Sequence, residues 1–166
     1  EMVIRDWSSD VCSSDLDILW VFDMRKEVGT FPHNVSSCFP LVHGGRVYVA
    51  TSNGVDWSHK NIPAPFAPAL IALDMETGEL VGEEASGVTE RVLHASWSSP
   101  ALGKADDQPL ILWGGGDGFC YAFKAEPVKG SDGLGTLEEV WRYDCNPPEY
   151  RDRKSTRLNS SHESPS

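Results

Sequence analysis

Long apolar runs are missing from this 166-residue chain. No stretch of about 18 apolar residues occurs, so no membrane-spanning segment is expected. Basic residues are scarce, with 14 Lys and Arg against 25 Asp and Glu. The resulting net charge of −11 repels phosphate backbones and excludes nucleic acid as a partner bound by charge. Cysteine is rare, and the spacing of Cys38, Cys120 and Cys145 fits no zinc pattern. These three read as small apolar side chains in the interior. Helical periodicity never persists beyond a turn or two. What is abundant is glycine, 15 residues, interleaved with short β-rich runs. That combination predicts an all-β fold with many turns.

The two ends differ in character from the middle. Asp6 to Leu16 spells DWSSDVCSSDL and Asp152 to His162 spells DRKSTRLNSSH. The reverse complement of DNA encoding the second stretch, read one frame over, encodes the first. Both resemble translated sequencing-adapter DNA, so residues 1–16 and 152–166 are expected to carry no native structure. Residues 17–151 are then read as an internal piece of a longer protein. The flanks hold six of the acidic and four of the basic residues, leaving 19 and 10 in that piece. Cys12 and Pro165 also fall in the flanks, while every glycine falls between them.

A period near 60 residues runs through the middle. Val47 to Gly54 (VYVATSNG) and Ile111 to Gly118 (ILWGGGDG) are β-runs closing on Asn-Gly and Asp-Gly, which suits tight hairpins. Each is followed by a second strand, Leu70 to Asp74 (LIALD) and Phe119 to Lys124 (FCYAFK). Each is preceded by a shorter run, Ser37 to Val42 and Ser98 to Leu102. Trp20 to Asp23 (WVFD) and Trp141 to Asp144 (WRYD) read as outer strands two periods apart, with Gly82 midway. Four-stranded units in tandem predict a fragment of a β-propeller: about two four-stranded antiparallel blades plus one strand of a preceding blade.

Ala72 to Gly82, ALDMETGELVG, resembles the Trp-docking motif A-x-D-x-x-T-G-x-x-x-W of the pyrroloquinoline-quinone-type, or quinoprotein-like, β-propeller repeats. Ala72, Asp74, Thr77 and Gly78 match, and Gly82 stands where the motif has Trp. Trp20 and Trp141 hold the matching place in the neighbouring units. The resemblance covers essentially all of 17–151 and implies a periplasmic or secreted protein. The class includes quinone-dependent alcohol and sugar dehydrogenases as well as non-catalytic scaffold propellers, so function rests on the site.

The dehydrogenases place a metal-holding Asn in T-G-N, where this chain has Thr51-Ser52-Asn53. Asn53 reads either as a calcium-type ligand beside the quinone or as a hairpin turn with Gly54. Their base is the last Asp of H-D-x-W-D; here His94-Ala95-Ser96-Trp97-Ser98 keeps His and Trp but neither carboxylate. Ser98 cannot act as a base near neutral pH, and Trp97 reads as packing between blades. The insertion Val55 to Pro68 adds Asp56 and His59 beside Asn53, and these three form a candidate metal set. His33 and His43 read as structural or solvated. The resulting expectation is a non-catalytic propeller that holds a protein or an extended polymer. The alternative is a quinone-dependent dehydrogenase, with pyrroloquinoline quinone and calcium, whose base lies elsewhere.

Overall fold

The computed structural model describes residues 17–34, 37–130 and 133–147. The adapter-like stretches 1–16 and 152–166 lie outside the described residues, as do residues 148–151. The fold is all-β, with ten strands in two sheets among the described residues. Among the described residues, helix is confined to one turn, α1 (Met24–Glu27), and a 3-10 turn at Thr89–Arg91. Among the described residues, no helix is long and apolar enough to cross a membrane.

The first sheet begins as an antiparallel meander of β1 (Leu41–His43), β2 (Arg46–Ala50), β3 (Leu70–Asp74) and β4 (Leu80–Glu84). β1 and β2 are joined by Gly44 and Gly45, both at positive φ, as a two-residue hairpin turn demands. β3 and β4 are joined by the Asp74–Gly78 turn. Asp74 Oδ1 accepts from the backbone N–H of Glu76 and Thr77, both at 2.9 Å, and from the Thr77 hydroxyl at 3.2 Å. Those donors hold its carboxyl below the usual range.

The second sheet is the meander β5 (Ala101–Ala105), β6 (Gln108–Gly114), β7 (Phe119–Lys124) and β10 (Glu139–Asp144). Between β7 and β10 the chain makes a small hairpin, β8 (Val128–Lys129) and β9 (Gly135–Leu137). This hairpin leaves its own sheet. β9 pairs in parallel with β4, so the first sheet has six strands in the order β1-β2-β3-β4-β9-β8. Gly82 and Gly135 make the approach feasible, because a Cβ on either would run into Pro127. Pro127 thus fills the place that Gly82 leaves open.

Three expectations are corrected. Trp20 to Asp23 is not a strand, because no neighbouring strand lies beside it among the described residues to take its backbone hydrogen bonds. Asn53-Gly54 is not a hairpin turn: β2 and β3 pair through the long loop 51–69, and Asn53 and Gly54 each form an isolated bridge to another segment. The shorter leading runs pair later than expected, at 41–43 and 101–105. Asp117-Gly118 does turn tightly between β6 and β7, with Gly118 at φ 82°.

The core lies between the sheets. It joins Tyr48, Leu70 and Ala72 to Ile111, Trp113, Tyr121, Phe123 and Leu137. Burying each large side chain contributes roughly 1.5–3 kcal/mol. Tyr121 and Phe123 occupy one face of β7, two residues apart, with rings 5.7 Å apart and nearly parallel. The Tyr48 hydroxyl reaches the segment after β7 and donates to Ala125 O at 2.5 Å. Near the opposite edge, β1 lies beside β5.

Candidate functional site

Three loops meet beside this core: 30–33, 51–59 and 92–97. Their backbones are sewn together. Asn53 bridges Pro32 and Gly54 bridges Ala95. His33 N donates to Ser52 O at 3.1 Å, Gly54 N to Phe31 O at 3.1 Å, and Val55 N to His94 O at 2.8 Å. Position 54 must be glycine, because a Cβ there would collide with the His94 carbonyl and with Ala95.

The stitching brings His33, His59 and His94 together. Each offers one ring nitrogen, and the three nitrogens lie within 4.8 Å of one another. The ring centroids are 4.9 Å apart for His33–His59, 5.3 Å for His33–His94 and 4.7 Å for His59–His94. His33 is 3% exposed, whereas His59 and His94 face solvent. Trp57 and Trp97 flank the group, 5.6 Å and 6.3 Å from the His33 ring. The His33 Nδ1 lies 2.9 Å from Val55 O. A carbonyl only accepts, so Nδ1 carries the proton, and Nε2 is the atom His33 can offer. Withdrawal from water holds the His94 imidazole below its ordinary value, and the His59 and His33 rings push it the same way.

The candidate set from the sequence, Asn53, Asp56 and His59, contributes only His59 to this cluster. Asn53 is fully buried, and its amide is spent on the fold. Its Oδ1 accepts from Phe31 N at 2.8 Å, while Nδ2 donates to Ala64 O at 2.8 Å and Ala67 O at 3.2 Å. Asp56 closes its own loop, accepting from Asn61 Nδ2 at 2.8 Å, Ser58 Oγ at 2.7 Å and Lys60 N at 3.3 Å. Those bonds, Asn61's and Ser58's foremost, hold its carboxyl well below the usual carboxylate range. Sequence reasoning missed His33 and His94 as partners of His59. The one available signal was His94 in the first place of the H-x-x-W pattern.

The calcium-ligand and base positions of the dehydrogenase alternative are not furnished by these residues. A calcium ligand needs an oxygen free to face the ion, and the Asn53 oxygen is sealed against Phe31 N. At the base position, Ser98 supplies only a hydroxyl, and its carbonyl accepts from Trp113 Nε1 at 3.0 Å. No carboxylate joins the histidine cluster among the described residues.

The repeat-motif residues fall at separate places. Ala72 is buried in β3, while Asp74, Thr77 and Gly78 form the turn after it. Trp20 sits on that turn. Its ring is so close that a Cβ on Gly78 would meet it at 2.5 Å, and its Nε1 donates to Met75 O at 3.0 Å. Trp97 lines the histidine site, and Trp141 stands on β10, 42% exposed.

No family model and no curated protein matches this chain.

Proposed function

We propose that this chain is part of a quinoprotein-like β-propeller that acts as a binding or scaffold module rather than a dehydrogenase. The seating of Trp20 on Gly78 carries the reading. The indole arrives from a segment 55 residues upstream, lies on the Thr77-Gly78 turn and bonds the Met75 carbonyl. A Trp wedged from one blade onto the motif turn of the next makes this kind of contact. The two antiparallel meanders, with β1 beside β5, suit successive blades whose first strands converge on a common axis.

The choice of binding over catalysis rests on the loops. The dehydrogenase base position holds Ser98, and the side-chain oxygen of Asn53 is buried and bonded to Phe31 N. The same loops present Trp57 (69% exposed) and Phe66 (87% exposed) to solvent. Exposed aromatics on a rigid β-scaffold are suited to holding a protein segment or an extended polymer. Adding pyrroloquinoline quinone and calcium to the chain, with an alcohol or sugar and a redox dye, should yield neither bound quinone by visible absorbance nor dye reduction. Stoichiometric quinone uptake or turnover would overturn the reading.

A further inference from the structure

We propose that His33, His59 and His94 form a binding site for one divalent transition-metal ion, zinc being the best fit, with a coordination position left open to solvent. The inference does not depend on the blade reading, because it uses only the local geometry of three loops.

The ligands come from positions 33, 59 and 94, yet the backbone bridges fix their origins, so the cluster is built rather than a chance of sequence neighbours. His33 is the anchor. It is buried, and its Nδ1–H is tied to the Val55 carbonyl, which fixes both tautomer and ring orientation. Metal-bound histidines are oriented in this way, with one ring nitrogen on a backbone carbonyl and the other on the ion. His59 and His94 stand at the surface, where their side-chain torsions are free to adjust.

A tetrahedral zinc site with bonds of about 2.0–2.1 Å sets its nitrogens about 3.3 Å apart. The present spread of 4.8 Å therefore has to contract, and the two exposed rings can swing toward the fixed one. Three imidazoles without a carboxylate select zinc, copper or nickel over calcium and magnesium, which prefer oxygen. Three protein ligands satisfy zinc only in part. The fourth place, on the side where His59 and His94 meet solvent, remains for water or for a donor from a bound partner. Trp57 packs beside His33, and Trp97 beside both His33 and His94.

The test uses the untagged 166-residue chain, stripped with chelator and titrated with zinc against a chromophoric competitor. One equivalent should bind, and cobalt should give the intense visible bands of a tetrahedral nitrogen site. Loss of one supporting group around a metal already weakens binding about 10–100-fold. His59→Ala and His94→Ala should therefore each weaken zinc by at least about 100-fold. Both residues are exposed, so the variants should keep the parent far-UV circular dichroism; His43→Ala is the control and should bind like the parent. Zinc should also raise the Tm of the parent and of His43→Ala, but not of His59→Ala. Binding that is absent in the parent, or that survives both surface substitutions undiminished, would overturn the proposal and leave the cluster as three packed imidazoles.

Discussion

Ser52 carries two costs at the site. It is fully buried at φ +58°, and its hydroxyl is a buried polar atom with no hydrogen-bond partner among the described residues. A left-handed backbone costs a non-glycine residue about 1–2 kcal/mol, and an unsatisfied buried hydroxyl costs about 1–3 kcal/mol. Glycine would remove both at an entropic cost of about 0.5–1 kcal/mol. Ser52→Gly should thus stabilise the fold by about 1 kcal/mol or more in urea unfolding, and a destabilised variant would show that the hydroxyl has a role. The neighbouring residues show why sequence gave an incomplete picture of the site. Asp74, Thr77 and Gly78 were readable because their hydrogen bonds close within a few positions. Asn53, Asp56 and His59 looked like a ligand set because they are close in sequence. Their polar atoms answer to different neighbours, however: Asn53 to Phe31, Ala64 and Ala67, and Asp56 to Ser58, Lys60 and Asn61. The partners of His59 stand 26 and 35 positions away, and backbone bridges that leave no periodic signal bring them together.

Strands with a strong β-run were legible: β3 and β7 fall where the hydrophobic pattern puts them, and β10 contains the expected Trp141–Asp144 and starts two residues earlier. The β8–β9 hairpin was not, because it is only two and three residues long and its partner, β4, is remote in sequence. Asn-Gly misled for a related reason. After β2 the chain leaves the sheet, and loop 51–69 returns it to β3 only after crossing the histidine site. The β6–β7 turn is the opposite case, held from within. Asp117, 1% exposed, accepts from the Tyr121 hydroxyl at 2.6 Å, Arg91 Nε at 3.2 Å and Phe119 N at 3.2 Å. Burial, and then the bond to Asp117, push the Tyr121 phenol up to about 12 from 10.0. Above pH 10 the unfolded chain releases this proton while the folded one keeps it, so the folded state is the one that binds more protons. The contribution of Tyr121 to stability should be complete below pH 10 and lost as pH rises through about 12. Urea unfolding between pH 9 and pH 12 should show the decline, with a shallower slope in Tyr121→Phe; equal slopes would rule out Tyr121 as its source.

The whole molecule has unfinished borders. β10 is an edge of the second sheet and carries Val140, Trp141 and Tyr143 at 45%, 42% and 65% exposure. An edge strand that shows apolar side chains to solvent is a template for pairing with another chain. The chain should therefore self-associate with rising concentration in sedimentation velocity, and Trp141→Lys with Tyr143→Lys should suppress this while the β signal in circular dichroism is kept. A parent that stays monomeric at all concentrations would mean that β10 is covered. In the first sheet, the chain itself covers β4. β8 and β9 follow β7 in sequence but add to the sheet of β4. The stretch of sequence that completes the first sheet therefore lies between two strands of the second. A deletion that removed residues 128–137 would leave β4 an edge strand even with every residue of β1 to β4 kept.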